Sequence, residues 1–267
     1  MSEPKPPILL HKRYGAASAF TPENLLREAR RQKRLVPGSI PEVCVLDPDG
    51  DIVRYLRGTG RAELSRAWAC YHTDLYVFRH DGYDYGIIGC AVGASYAVLI
   101  AEELFASGCQ FLLSVTSAGQ IRPVQAPPYF VVIDRALRDE GTSYHYLPPS
   151  DYCMAAAHLV ADAHDALRAA GISVHLGATW TTDAPFRETV EAIEAASRAG
   201  ILAVEMEAAA LYAFAKARNR LVLCLAHVTN QMALIDRDFE KGAADGAEIS
   251  LKVIALAAAS WRAQRRP

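Results

Sequence analysis

The stretch Ile201-Leu-Ala-Val-Glu-Met-Glu-Ala-Ala-Ala-Leu-Tyr212 contains a short apolar run, two acids around a methionine, and an alanine-rich helical pattern. The apolar run predicts a buried strand, and the pattern after it predicts a helix. Ligands of α/β proteins bind at strand carboxyl ends, so Glu205, Met206 and Glu207 are candidates for a ligand site. The thioether would cover the carbons of a sugar ring, and the carboxylates would accept hydrogen bonds from its hydroxyls. The competing interpretation is two acids at a helix N-terminus beside a core methionine.

The composition indicates a soluble protein with a sizeable core, because 51% of its 267 residues are hydrophobic and 22% are charged. A net charge of −2 gives no electrostatic reason to expect nucleic acid as a partner. We expect no membrane partner and a cytoplasmic location, since no apolar run could span a bilayer and the N-terminus lacks an apolar signal segment. Of six scattered cysteines, Cys44, Cys90 and Cys224 lie in strand-like runs, which predicts buried, reduced thiols.

Apolar runs alternate with helical patterns along most of the chain. Thr21 followed by Pro22 predicts a helix start, and that helix ends near Lys33. The predicted strands are 42–46, 85–90, 110–115, 129–133, 173–180, 201–204 and 221–228, and the later predicted helices are 94–107, 151–170, 188–199, 205–219 and 243–262. This order predicts an α/β fold: a single three-layer domain over residues 1–267, with a mixed, largely parallel sheet flanked by helices. Residues 1–20 are predicted to form an N-terminal arm.

Two turns after predicted strands carry groups that suit an anion or a polar ligand. The spacing of Gly89 and Gly93 fits neither the dinucleotide fingerprint nor the phosphate P-loop, yet the backbone amides there could face an anion or a sugar. Thr116 and Ser117 end another predicted strand and could form a shelf for the second substrate. Simple strand-to-helix and strand-end turns remain the alternatives.

A loop after the strand 173–180 combines aromatic and charged side chains. Trp180 or Phe186 could stack on a heterocycle, and Arg187 could donate to a carbonyl of that ring. Alternatively, Asp183 in the same loop only caps the next helix. Asn230, at the end of the last strand, could bind a polar ring through its amide, or it could be a turn residue.

Other site types lack their sequence patterns. The histidines and cysteines show no zinc-ligand spacing, so we predict no metal site. The G-x-S-x-G nucleophile motif is absent. We therefore expect no metal-dependent or serine-hydrolase chemistry and no cofactor.

The order of these motifs resembles the nucleoside phosphorylase family, which includes uridine and purine nucleoside phosphorylases and related nucleosidases. The resemblance runs from about His11 to the C-terminal helix, and its most specific part is the Val-Glu-Met-Glu-Ala-Ala-Ala-Leu-Tyr motif that ends at Tyr212. Supporting motifs lie at 93–104, 117–119, 139–143 and 228–230.

The resemblance implies a role for each matching residue. Met206 would pack on the ribose, and Glu207 would bind its 2′ and 3′ hydroxyls. Phe186 and Arg187 would lie beside the base. Asn230 falls where purine-specific members carry an aspartate that protonates the base and uridine-type members carry asparagine.

The resemblance also implies a shared active site. His11 is similar to the N-terminal histidine that uridine phosphorylases contribute to the ribose site of a neighbouring subunit. A homodimer-based oligomer follows, as a dimer, a trimer of dimers or a hexamer.

The chain departs from the family at the phosphate site. Family phosphorylases carry an arginine before the Gly/Thr/Ser turn, where this chain has Ser114. They also carry Gly-Asp-Pro-x-Arg after the first strand, where this chain has an acidic turn with Asp49 and Asp51. Arginine is the strong bidentate ligand of a dianion, so its replacement leaves the second substrate open. Four other arginines are candidate substitutes: Arg54, Arg57, Arg122 and Arg138.

The predicted reaction is cleavage of the N-glycosidic bond of a nucleoside, with phosphate as co-substrate. Glu207 would favour the cationic sugar of the transition state, and Asn230 with Arg187 would stabilise the departing base. A nucleosidase that uses water, oriented by Asp49 or Asp51 with help from Ser117, is the first alternative. A catalytically weak nucleoside-binding protein is the second.

Overall fold

In the part of the chain that the structure describes, ten strands form one mixed sheet, and helices cover both faces of its apolar central strands. The computed structural model describes residues 6–232 and 238–265. The strands are β1 (Val43–Asp47), β2 (Ala62–Leu64), β3 (Tyr76–His80), β4 (Tyr83–Gly89), β5 (Phe111–Gln120), β6 (Tyr129–Asp139), β7 (Tyr152–Met154), β8 (Val174–Thr182), β9 (Ile201–Glu205) and β10 (Leu221–Asn230).

Eight α-helices lie within the described residues. They are α1 (Pro22–Lys33), α2 (Asp51–Gly58), α3 (Ala94–Ala106), α4 (Ser143–Tyr146), α5 (Ala157–Ala169), α6 (Val190–Arg198), α7 (Ala208–Arg218) and α8 (Ala247–Ala263). Short 3-10 turns cover Pro7–Leu9, Pro185–Arg187 and Ala243–Gly246.

The sheet has the strand order β10-β6-β8-β9-β5-β1-β4-β3-β2, and β10 also pairs with β5. That extra pairing closes β5, β10, β6, β8 and β9 into a ring, while β1 to β4 extend from β5 as an open sheet. Parallel pairings join β1 to β4 and β5, β10 to β5, and β8 to β6 and β9. The strands β5 and β9 run antiparallel and meet only near their carboxyl ends, at Gly119 and Val204. Side chains from both ends therefore converge there.

Two hydrophobic cores lie on opposite faces of the sheet, as expected for three layers. One core packs α3 and α7 on the sheet, with Leu104 and Phe214 among its buried residues. The other core packs α2, α5 and α8, with Leu56, Leu167 and Trp261. A smaller cluster holds α6 against β9 and supports the loop before α6.

The predicted α/β class, three-layer arrangement and mixed, largely parallel sheet are confirmed, and two details are corrected. Among the described strands the longest ladders, β10 with β5 and β8 with β6, are parallel. The predicted helix 151–170 begins only at Ala157, because residues 152–154 pair with β6. Cys90 is an exposed thiol with a positive φ, whereas Cys44 and Cys224 are buried as predicted.

The described part of the predicted N-terminal arm runs over the surface beside α4, where Lys12 Nζ lies 2.7 Å from His145 Nδ1. Residues 1–5 of that arm lie outside the described residues. Among the helices that the structure describes, none combines the length and apolar character needed to cross a membrane.

Candidate active site

A cavity of about 610 Å³ opens where β1, β5, β9 and β10 end. Its lining combines acids, hydroxyls and apolar side chains, as in sites for small polar ligands. The predicted residues that line it are Asp49, Thr116, Ser117, Phe186, Glu205, Met206, Glu207 and Asn230. The principal acid-and-thioether motif therefore lies at a cavity and not within structural contacts alone.

Glu207 is the acid of this motif that has a free oxygen. It occupies the N-cap position of α7, and its Oε1 accepts a 2.7 Å hydrogen bond from the backbone N–H of Gly93. Its Oε2 is buried and has no hydrogen-bond partner among the described residues. Burial, with the negative charge of Glu205 as a second cause, raises the pKa of Glu207 to about 8. A buried acceptor without a partner is costly, and a ligand hydroxyl would satisfy it.

Glu205 forms only hydrogen bonds within the protein, which corrects its predicted role in binding ribose. Its Oε1 accepts from the hydroxyls of Thr179 and Thr181, and its Oε2 accepts from the backbone N–H groups of Glu207 and Ala208, both at 2.7 Å. Both oxygens are thus occupied within the protein. The side chain fixes the turn that presents its neighbours to the cavity.

Two methionines contribute apolar surface to the cavity. Met206 is half-buried and lines the cavity, as predicted from its place between the two acids. Met232 also lines it, and its Sδ lies so close to Gly119 that a side chain at that position would collide with it. Sequence analysis missed Met232 because it follows the strand end without a periodic pattern.

Asn230 lines the cavity, but its amide is already engaged. Its Oδ1 accepts from the N–H of Met232 at 3.0 Å, and its Nδ2 donates to Thr229 Oγ1 at 3.3 Å. A second, longer bond runs from Nδ2 to the carbonyl of Ala118. The predicted contact of Asn230 with a base would therefore have to compete with these bonds.

The loop before α6 contributes an apolar wall. Phe186 lines the cavity and is fully exposed, which leaves its ring free to cover a flat ligand. Arg187 is exposed and is not part of the lining, so this structure does not place its guanidinium at the site. Glu188 does line it, although sequence analysis did not select it.

Trp180 requires correction as a base-stacking residue. Its ring is buried in the cluster beneath α6, and its Nε1 donates to Asp139 at 2.9 Å. It does not line the cavity. Asp183 of the same loop accepts from the N–H of Gly141, and the side-chain cap of α6 is Thr189.

Thr116 and Ser117 mark the end of the cavity where phosphate or water is predicted to bind, and Asp49 makes the main polar contacts there. Its Oδ2 accepts from the backbone N–H of Ser117 at 3.1 Å and from Lys241 Nζ at 3.3 Å. Lys241 also bonds Asp51. A small adjoining cavity of about 20 Å³ is lined by these four residues, Asp49, Asp51, Ser117 and Lys241. No local motif marks Lys241, which reaches this cluster from a point 190 residues along the chain from Asp51.

Six other candidates for the phosphate end of the cavity, which are Ser114, Gly93 and four arginines, do not have their predicted positions. Ser114 is buried in mid-strand, and its Oγ has no partner among the described residues, so its predicted place at the anion site is corrected. The Gly93 N–H is used by Glu207. The four candidate arginines are absent from the lining of both cavities, and buried Arg138 instead binds Ser143 and Ser150.

His11 lies in a separate cavity of about 630 Å³, with Lys12, Tyr14 and Pro149. Its predicted role requires a second subunit, so that role stays a prediction. Within the described residues, no group of three or more histidine, cysteine, aspartate or glutamate side chains is arranged to hold a metal ion.

This fold and cavity define an α/β protein with a candidate small-molecule site at its strand ends. Residues 52–259 match the family model described as Phosphorylase superfamily, and the chain belongs to that superfamily. The resemblance found in the sequence is thereby confirmed.

Curated relatives and solved structures agree with this membership. The chain is 30% identical to a DeoD-type purine nucleoside phosphorylase of Roseobacter denitrificans, covering 62% of this chain and 74% of the relative. It is 24% identical to a uridine phosphorylase of Thermococcus kodakarensis, covering 77% and 84%. Purine nucleoside phosphorylase from Toxoplasma gondii in complex with immucillin-H shares the fold, with a TM-score of 0.71, 17% identity, and coverage of 85% and 93%.

Proposed function

We propose that the protein cleaves the N-glycosidic bond of a nucleoside by phosphorolysis, releasing the base and a pentose 1-phosphate. Membership of the phosphorylase superfamily supports this proposal. So do the names of its curated relatives, which are purine nucleoside, guanosine and uridine phosphorylases. The substrate is a small-molecule nucleoside, and we propose no cofactor beyond phosphate as co-substrate.

The observation that carries the proposal is the free oxygen of Glu207 beside Met206 in the cavity. The thioether would pack on the pentose, and the carboxyl oxygen would accept from a ribose hydroxyl. As the bond breaks, positive charge develops on the sugar; this charge favours the ionised form of Glu207, whose carboxylate then stabilises the cationic sugar. The exposed ring of Phe186 would cover the base on the other side.

Phosphate would enter at the Thr116 and Ser117 end. Two cations pair with the acids of this end: Lys241 bonds Asp49 and Asp51, and Arg54 bonds Asp51. A bound phosphate would replace these carboxylates as the partner of Lys241. The same phosphate would need the Ser117 N–H that Asp49 now occupies. Thus the binding of phosphate requires the carboxylate of Asp49 to withdraw.

Hydrolysis is a second candidate function, and the Asp49–Ser117 bond favours it. The Asp49 carboxylate, held by the Ser117 N–H, can accept a hydrogen bond from a water molecule at the place where a phosphate would otherwise bind. The absence of arginine from the described lining points the same way, because a dianion needs charge-assisted donors.

Phosphate dependence distinguishes these functions. Uridine, inosine and methylthioadenosine are incubated with the enzyme, with and without phosphate, and base release is followed. We expect release to require phosphate and to yield pentose 1-phosphate. Release at the full rate without phosphate would establish the hydrolase instead, and binding of nucleoside with no release under either condition would indicate a binding protein.

We further propose that the enzyme is a homodimer-based oligomer in which His11 completes the site of a neighbouring subunit. His11 is exposed and does not line the cavity that contains Glu207 of its own chain, which fits this arrangement. We also propose a cytoplasmic location, with which the six free thiols are consistent.

Mixing of two inactive variants tests the shared site. His11→Ala and Glu207→Ala are each expected to be inactive, whereas a dissociated and reassociated mixture contains hybrid dimers with one intact site. We expect about a quarter of wild-type activity from random pairing of subunits. Each variant reassociated alone is the control, and a mixture as inactive as its components contradicts a shared site.

A further inference from the structure

We infer that Glu188 is the acid that donates a proton to the departing base. This inference rests on the proposed function, because it concerns the leaving group of the same reaction. It assigns a catalytic role to a residue of the loop before α6 that sequence analysis left unassigned.

The position of Glu188 suits this role. It lies between the turn Pro185–Arg187 and the first residue of α6, and it lines the cavity together with Phe186, Val190 and Ile193. These neighbours are apolar, so they form a wall for a flat ring. Glu188 places one carboxyl group in that wall.

The carboxyl group of Glu188 is also unengaged. It forms no hydrogen bond or ion pair with any residue that the structure describes. The other lining acids differ: Glu205 and Asp49 are occupied by internal donors, and Glu207 is anchored to Gly93. Glu188 therefore has both oxygens available for a ligand.

Burial places Glu188 in the correct protonation state. Its pKa is raised from 4.5 to about 7 by burial alone. The charged groups of the same cavity and of the adjoining residues are Asp49, Glu205, Glu207, Arg187 and Glu191. A substantial fraction of Glu188 is therefore protonated at neutral pH, as a general acid requires.

The step balances as a simple proton transfer. The C1′–N bond breaks and its electron pair passes to the base, while the Glu188 O–H bond breaks and its proton goes to a ring nitrogen or carbonyl oxygen of that base. The base leaves neutral, and Glu188 is left as a carboxylate. Water returns the proton before the next turnover.

The test compares two leaving groups in Glu188→Gln. Inosine needs a proton on its base, whereas 4-nitrophenyl β-D-ribofuranoside releases a stable anion and needs none. We expect kcat for inosine to fall on the order of a hundredfold, and kcat for the nitrophenyl riboside to change by less than about threefold. Glu191→Gln, an exposed acid in the first turn of α6, is the matched control and should change neither rate.

The pH profile gives a second readout. We expect wild-type kcat for inosine to decline as the pH rises through about 7, because the acid is then lost, and this decline should be absent in Glu188→Gln. Equal losses of kcat on both substrates, or no loss on inosine, would overturn the inference.

Failure of the proposed function is distinguishable from failure of this inference. If the wild-type protein releases base from no nucleoside, the proposed function fails. The interaction of Glu188 with a base is then decided by calorimetry with hypoxanthine. Binding that weakens above pH 7 only in the wild type supports that interaction, and matching profiles in wild type and Glu188→Gln overturn it.

Discussion

Glu207→Ala is expected to lower kcat/KM for ribonucleosides about a thousandfold. The substitution removes the carboxyl oxygen that is free in the cavity and the one bonded to Gly93. Loss of a positioned charge-stabilising group can cost about 4 kcal/mol in the transition state, which corresponds to this factor. Steady-state kinetics with inosine and with 2′-deoxyinosine measures the effect.

The deoxy substrate serves as the internal control. In the wild type the ribonucleoside should be preferred, because its 2′-hydroxyl can donate to Glu207. In the alanine variant this preference should disappear. A variant that retains the preference would show that Glu207 does not bind the ribose.

Glu207 also makes a testable contribution to stability. Its pKa is about 8 in the folded protein and near 4.5 when exposed, so the folded state holds a proton that the unfolded chain releases above about pH 4.5. Stability from this group is therefore lost as the pH rises from about 4.5 to 8. We expect Glu207→Gln to gain stability relative to the wild type at pH 8 compared with pH 5, as measured by urea unfolding at both values.

The sequence predicted seven of the ten described strands and the placement of Met206 and Glu207 at a strand end, because both depend on local patterns. It did not predict β2, β3 and β7, which are short or partly exposed and therefore lack a clear apolar run. An apolar run that ends in acids marks a strand end, and parallel strands bring such ends together. The same argument could not separate Glu205 from Glu207. Their different roles depend on Thr179 and Thr181, which β8 supplies from another part of the chain.

Contacts between distant parts of the chain explain the other differences between the predicted site residues and those that line the cavity. Trp180 was selected for its aromatic ring, but the packing of α6 on β9 buries it. Lys241 and Glu188 belong to the cavity region only because separate segments converge there. Lys241 has no sequence neighbour that would indicate this, whereas Glu188 directly follows the selected residues Phe186 and Arg187.

Glu205→Ala is expected to destabilise the folded protein by about 3–4 kcal/mol, in contrast to Glu207→Ala. The substitution leaves four donors without acceptors: the hydroxyls of Thr179 and Thr181 and the N–H groups of Glu207 and Ala208. Each buried donor without a partner costs about 1 kcal/mol or more, and water in the new space would recover part of this loss. Urea unfolding monitored by circular dichroism gives the difference in free energy of unfolding.

Two further variants make this prediction decisive. Thr179→Val removes one of the donors to Glu205 together with its hydrogen bond, and it should cost only about 1 kcal/mol, so it reports on the network even if Glu205→Ala fails to fold. Glu194→Ala, an exposed acid on α6, should change stability by less than about 0.5 kcal/mol. If Glu205→Ala is as stable as Glu194→Ala but has lost ribonucleoside affinity, then Glu205 binds the ligand directly and its structural role is refuted.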